Sequence, residues 1–395
     1  MSCVIAGGGP AGAMLGLLLA RAGVEVTLLE KHADFLRDFR GDTIHPSTME
    51  VLDELGLAEE FLKLPHRKAY ELSMLTDTRR IRLADLRRLR TRFPFIAFVP
   101  QWDFLELITS QARHYPNFRL LMQSEAYDLV REGGAVRGLR YRDASGEHEI
   151  RAALTVAADG RHSVLRRRAG LRPRELGAPM DVLWFRLPRK ESDPDEPFLR
   201  ISDGRIMVAI NRETYWQLAY LIPKGAYERL AASGIDALRG PVAELLPFTR
   251  DRIGEIAGYE DVSMLTVALN RLRRWHRPGF VCIGDAAHAM SPVFGVGINL
   301  AVQDAVAAAN LLARPLAAGA PIPERTLALL QRRRTPPTVV TQAAQRIVQN
   351  RVIRPALRRS FDPSFLPSDV SEFPLLSKVT RRFIGFGVLP EHVRT

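Results

Sequence analysis

The sequence predicts an α/β fold in which a second, sheet-based domain interrupts the first and the C-terminus is helical. Three observations predict it. A short apolar strand, Cys3 to Ala6, runs into Gly7-Gly8-Gly9-Pro10-Ala11-Gly12 and a helix reaching Ala22. Gly23 stops that helix, and Val24 to Leu29 forms a second strand ending at Glu30, which completes one β-α-β unit. Strand-rich stretches at 69–100 and 178–269 then break the α/β alternation, and the last fifty residues read as Arg-rich helices broken by Pro355, Pro363, Pro367 and Pro374.

The remaining elements follow from the same signals. Pro46 and Gly56 bracket a helix over Ser47 to Leu55. Trp102 to His114 is helical, and 118–156 carries strands around turns at Gly133-Gly134 and Asp143 to Gly146. Residues 180–223 are strand-like and aromatic, and Tyr227 to Leu246 is mostly helical. Phe280 to Ile283 is a buried strand leading into Gly284-Asp285 and a glycine-rich loop, and a long Ala-rich helix begins near Asn299. The expected division is a discontinuous nucleotide domain over 1–68, 101–177 and 270–335, a substrate domain over 69–100 and 178–269, and a C-terminal helical region over 336–395.

Composition narrows the function classes. The chain has 395 residues, 46% hydrophobic and 25% charged, as in an ordinary globular protein. Its net charge of +12 comes from arginine, since only six residues are lysine. The arginine clusters at 87–92, 166–168, 332–334 and 358–359 are scattered and lack interleaved aromatics, which argues against nucleic acid. Residues 3–22 lack a basic leader segment and contain the glycine turn, so they are not a targeting signal. The apolar run Ala13 to Ala20 is far too short to span a membrane, and no integral membrane segment is expected. Cys3 and Cys282 lie in apolar strands without a disulfide framework, which fits a reducing, cytoplasmic setting.

Gly7, Gly9 and Gly12 form G-x-G-x-x-G in the context that gives the motif meaning. Gly7 permits the tight turn, Gly9 lets the backbone approach a pyrophosphate, and Gly12 allows helix and strand to touch. The helix then aims its free N–H groups at the phosphates from Pro10 and Ala11 onward. Glu30, followed by Lys31, is placed to accept hydrogen bonds from a ribose. This Rossmann-type unit by itself leaves FAD and NAD undecided.

Two further motifs decide it. Val156-Ala157-Ala158-Asp159-Gly160-Arg161-His162-Ser163 is a strand entering Asp-Gly and a basic helix. Gly284-Asp285-Ala286-Ala287-His288 continues into Pro292-Val293-Phe294-Gly295-Val296-Gly297-Ile298-Asn299. Asp285 can hold a polyol hydroxyl. Gly295 and Gly297 let main-chain N–H groups reach a flat ring, and the helix after them directs its positive end at a ring carbonyl that gains charge on reduction. His288 reads as a helix-start residue, and His45, before Pro46, as one that orders a turn.

With its three motifs in this order, the chain resembles the single-component FAD-dependent aromatic hydroxylases, the family of p-hydroxybenzoate hydroxylase, over most of the first 310 residues. The resemblance implies a Rossmann-type FAD-binding domain with an inserted β-sheet substrate domain. It makes Gly7, Gly9, Gly12 and Glu30 ADP-binding and puts Arg40 near the pyrophosphate and Gln101 near the ribityl chain. Asp159 becomes a residue of FAD and NAD(P)H handling, Asp285 the ribityl ligand, and Pro292, Gly295, Gly297 and Asn299 the loop around the ring. The implied activity is an NAD(P)H- and O2-dependent monooxygenase that hydroxylates or epoxidises an aromatic or polycyclic small molecule through a flavin C4a-hydroperoxide, as a monomer or homodimer. No side-chain base can be assigned.

Trp184, Phe185, Tyr215, Trp216 and Tyr220 are the expected pocket aromatics. Three alternatives stay open. One is a flavin-dependent halogenase, whose W-x-W-x-I-P pattern is only partly echoed from Trp216 to Pro223. The others are a flavin-dependent reductase of isoprenoid chains and a non-catalytic FAD-binding protein.

Overall fold

The computed structural model describes residues 2–36 and 43–395. The chain begins as the glycine pattern dictates, with strand Ser2–Ala6, helix Pro10–Arg21 and strand Glu25–Leu29. These strands are parallel, and Leu154–Ala157 and Phe280–Cys282 extend the same sheet on the far side of Ser2–Ala6. The six strands run in the order His276–Arg277, Phe280–Cys282, Leu154–Ala157, Ser2–Ala6, Glu25–Leu29, Phe118–Leu121. Val4, Ile5, Leu28, Leu154 and Val156 are wholly buried in it, as expected of parallel strands covered on both faces. Both cysteines are buried and free, and burial pushes the Cys3 thiol up to about 12.

A second sheet of seven strands contains Glu71–Leu75 and Arg80–Asp85 at one edge and Ser263–Leu265 at the other, with Met180–Pro188 and Tyr215–Pro223 paired antiparallel between them. Ile96–Phe98 does not join this sheet. It pairs with Thr43–Ile44 and Arg67–Ala69 in a small sheet of its own. The expected domain edges at 68/69 and 335/336 therefore fall inside the strand Arg67–Ala69 and the helix Glu324–Val348.

The Ala-rich helix runs from Gly297 to Ala317 and lies on Pro10–Arg21. Val293–Ala317 is long and apolar enough to span a membrane, but 83% of its most apolar window is buried within the protein, as in a core helix. Glu324–Val348 contains Pro336 and Pro337 yet stays helical, because Leu327, Leu330, Arg334, Pro337 and Thr341 are buried along it. The last helix, Pro374–Phe386, lies over the first turn of Pro46–Glu54, where Gly385 leaves no room for a Cβ beside Leu89.

Candidate flavin site

Each glycine of the fingerprint has a distinct local cause. Gly7 has φ +104°, and a Cβ there would strike the Ala158 carbonyl. A Cβ on Gly12 would fall on the Gly7 carbonyl oxygen, so this residue sets how closely helix and strand approach. Gly9 differs, because a Cβ there meets nothing within 4 Å. The helix it begins has no side-chain cap. Uncapped helix N–H groups beneath open space are what a pyrophosphate requires.

Glu30 is 5% exposed at the end of its strand. Its carboxylate accepts Gly8 N–H at 2.9 Å and His32 N–H at 3.1 Å, which points the group back across the glycine turn. Lys31 is exposed beside it. Arg40 lies outside the described residues. Gln101 is the first residue of helix Gln101–Arg113, with Pro100 at the cap position, and its carboxamide makes no hydrogen bond among the described residues.

Asp159 caps a helix. Its Oδ2 accepts Val164 N–H at 2.8 Å and Leu165 N–H at 3.2 Å, while Oδ1 is buried without a partner. Burial pushes this carboxyl up, against the hydrogen bonds from Ser163, Leu165 and Val164. Gly284 and Asp285 follow the strand Phe280–Cys282 after Ile283 alone. Asp285 pairs with Arg161 at 3.4 Å, so the Asp-Gly and Gly-Asp motifs meet through a residue that sequence reasoning passed over.

The loop from Pro292 to Gly297 turns through positive φ at Phe294 (+71°) and Gly295 (+65°). Gly295 has a constraint of its own, apart from the flat ring expected there. A Cβ there would crowd the Thr43 hydroxyl, which donates to the Gly295 carbonyl at 2.6 Å. Gly297 does open onto free space, with nothing within 4 Å of a Cβ. Ile298 is buried behind it. Asn299 is spent as a staple. Its Oδ1 accepts His45 N–H at 2.9 Å and the Thr48 hydroxyl at 2.7 Å, and its Nδ2 donates to the Thr43 carbonyl at 3.2 Å.

His45 ties this arrangement to the C-terminus, since its Nδ1–H donates to the Ile384 carbonyl at 2.6 Å. Burial pulls its pKa down to about 4, so the ring is neutral near pH 7. Its Nε2 is buried without a partner. His288 is also structural and buried, with Nε2 2.6 Å from Asp304.

The seven-stranded sheet presents one face to the loop, and its register sorts the expected pocket aromatics. Trp184 stands opposite Ala219 and Pro188 opposite Tyr215, which places Trp184 and Tyr215 on one face. There Trp184 and Val208 pack against two buried clusters, one that Val293 of the loop side also packs against and one that Phe383 of the last helix also packs against. Trp216 and Tyr220 lie opposite Leu187 and Leu183 on the other face, and Phe185 joins them in the core beneath the helix Asp236–Leu245. Trp216 is fully buried and donates its indole N–H to Asp193 at 2.9 Å. The expectation that Phe185, Trp216 and Tyr220 line the pocket is therefore corrected, because successive residues of a strand point to opposite faces.

The glycine cradle, the uncapped helix end and the open approach at Gly297 fit FAD. Among the described residues no cluster of His, Cys, Asp or Glu could hold a metal ion.

Residues 1–344 match the family model of the FAD binding domain. The chain is 32% identical over 353 residues to a 6-methylpretetramide 4-monooxygenase of Streptomyces rimosus, covering 89% of this chain and 84% of that protein. It is 29% identical over 343 residues to 12-dehydrotetracycline 5-monooxygenase/anhydrotetracycline 6-monooxygenase of the same species, covering 80% and 63%. Among solved structures, PqsL of P. aeruginosa in complex with 2-aminobenzoylacetate superposes with a TM-score of 0.78 at 21% identity, over 91% and 99% of the two chains. The flavin-dependent brominase Bmp2 shares the fold, with a TM-score of 0.77 at 18% identity over 97% and 93%. With the three motifs assembled around one cradle and the family model spanning most of its length, the chain belongs to the FAD-binding-domain family of group A FAD-dependent monooxygenases.

Proposed function

We propose that this enzyme uses NAD(P)H and O2 to hydroxylate, or epoxidise, an aromatic or polycyclic small molecule held between the Pro292–Gly297 loop and the seven-stranded sheet. The observation that carries the reading is the apolar wedge at Trp184 and Val208, which pack against two buried clusters at once, one shared with Val293 and the other with Phe383. The related enzyme named for 6-methylpretetramide supports a fused-ring substrate. Trp216, where the partial halogenase echo begins, is sealed in the opposite core, away from the wedge.

When bound, FAD supplies hydride acceptance and oxygen delivery. The chain holds it in place. Gly7, Gly9 and Gly12 would seat the pyrophosphate over a helix end, Glu30 would hold the ribose, and Asp285, paired with Arg161, would hold the ribityl chain. The N-terminus of Gly297–Ala317 points partial positive charge toward the ring side. Ile96, Phe98, Ile210 and Ile384 are buried around the wedge and keep water from the oxygen-transfer site.

The test is aerobic NADH and NADPH oxidation by the flavin-loaded protein with a panel of phenolic and polycyclic compounds. Stimulated oxidation together with a product heavier by one oxygen is expected. Flavin-replete enzyme that oxygenates none of the panel, or returns only reduced products, would refute the reading.

A further inference from the structure

The last helix, Pro374–Phe386, spends only one side on the protein. Ser377 and Ile384, seven apart, are buried against it. On the other side Leu375 is 82% exposed, Val379 65% and Leu376 48%, and Phe373 just before the helix is 51% exposed. Leu375 and Val379 are one turn apart, and Leu376 is seven residues from Phe383, so the apolar positions form one stripe along the helix. Lys378 and Arg382, also one turn apart and exposed, run along its border. No carboxylate pairs with either among the described residues. Arg382 lies over the Phe386 ring at 5.9 Å, and Arg381 donates to Ser377. The exposed acid nearby is Glu372, before the helix, while Asp369 is held by Arg82.

The stripe does not stop at the surface. Phe383, at its inner end, meets Phe294 of the flavin loop edge to face at 5.7 Å between ring centres. An apolar path thus runs from solvent at Leu375 and Val379 to the loop beside the wedge.

We propose that the outer face of Pro374–Phe386 docks on an anionic lipid surface and draws an apolar substrate from it along this path. An apolar stripe edged by Lys and Arg is the pattern of a helix lying in the plane of a lipid interface. Charge selects the occupant. A second copy would set the same cations against these, on a chain of net charge +12, whereas an anionic headgroup layer neutralises them. The delivery part rests on the oxygenase reading above; the docking part does not.

Co-sedimentation of the holoenzyme with phosphatidylglycerol–phosphatidylcholine vesicles, and with pure phosphatidylcholine vesicles, tests it. Partitioning onto the anionic vesicles should exceed that onto neutral ones by roughly ten- to thirtyfold, as two cations at the surface imply. It should fall several-fold at high salt and be lost in the Leu375→Glu, Val379→Glu double variant. Lys378→Glu with Arg382→Glu should erase the preference for anionic lipid. Wild-type protein that ignores both vesicles, or a Leu375→Glu, Val379→Glu variant that still binds, overturns the docking. So does sedimentation velocity showing that the double variant merely splits a dimer. Delivery is read separately, with a substrate that the soluble assay has shown to turn over. Vesicles carrying it should lower its apparent KM in wild type and not in the double variant. Docking without that change overturns the delivery alone, and a lack of oxygenation in the soluble assay marks failure of the oxygenase reading instead.

Discussion

Asp304→Asn isolates a charge buried behind the flavin-binding strand. Asp304 is fully buried. Its Oδ2 accepts Gly284 N–H at 3.0 Å and lies 2.6 Å from His288 Nε2, and its Oδ1 accepts Arg334 Nε–H at 2.9 Å. Burial pushes the carboxyl up, but His288 and Arg334 overcome it and hold it below the usual range. An asparagine can still accept from Gly284 but leaves Arg334, 1% exposed, with only Glu391 at 3.9 Å. Removing one partner of such a pair costs about 3–5 kcal/mol. Urea unfolding of holoenzyme, followed by circular dichroism, should show that loss, and flavin should leave earlier because Gly284 adjoins Asp285. Adding Arg334→Met should recover much of the loss, since the stranded charge is then gone. The pH sign follows from the lowered carboxyl. Its contribution is complete above the unfolded value of about 3.9 and lost as pH falls through the folded one, so wild type should lose this advantage over Asp304→Asn only in acid. A single-variant cost under about 1 kcal/mol, or a double variant no better than the single, would refute the reasoning.

Gly12→Ala and Gly9→Ala should separate fold from cofactor. The first puts a methyl onto the Gly7 carbonyl and should lower the apoprotein's thermal midpoint, while the second should leave that midpoint unchanged and weaken FAD binding, measured by fluorescence titration. Equal apoprotein midpoints would contradict the assignment. A Cβ at Gly297 meets no atom within 4 Å, so Gly297→Val should still fold, yet its branched side chain should crowd the ring and raise the H2O2 formed per NAD(P)H consumed. A wild-type ratio in flavin-replete variant would count against the loop's role. Trp184→Phe keeps an aromatic wall but deletes an indole N–H that is buried without a partner. It should raise KM for an oxygen-bearing substrate about tenfold, from the loss of roughly 1.5 kcal/mol of hydrogen bonding, and leave flavin content unchanged. An unchanged KM would remove Trp184 from substrate contact.

Much of the cofactor cradle was legible because its causes are local. A glycine that must turn, a helix start and a terminal acid are separated by a few residues, and Ser2–Ala6, Pro10–Arg21 and Glu25–Leu29 lie within a residue or so of where the pattern put them. The pocket wall was half legible. Alternation shows that Trp184 and Phe185 face opposite ways, but only the pairing of Trp184 with Ala219 shows which face Trp216 shares. That Thr43 also constrains Gly295, a contact across 252 positions, is carried by no local pattern. The hydrogen bond from His45 to Ile384 spans 339 positions and is equally invisible. The helix Glu324–Val348 runs through the expected edge at 335/336, because burial overrides the low helix propensity of Pro336 and Pro337.

The order of the parallel sheet bears on how the chain is made. Ser2–Ala6 is made well before its neighbour Leu154–Ala157, and Phe280–Cys282, which pairs with the far edge of Leu154–Ala157, is made later still. At roughly 5–20 residues per second, on the order of 15–55 s separates the first strand from the last of these three. During that interval the apolar faces of the βαβ unit and the unpaired edge of Leu154–Ala157 are bare, the condition under which strands find wrong partners. Even then the core is unfinished, because Glu391, made later than all three, still has to reach Gln303 and Arg333. A chain stalled or truncated before its last turn should therefore sediment with chaperones rather than bind flavin.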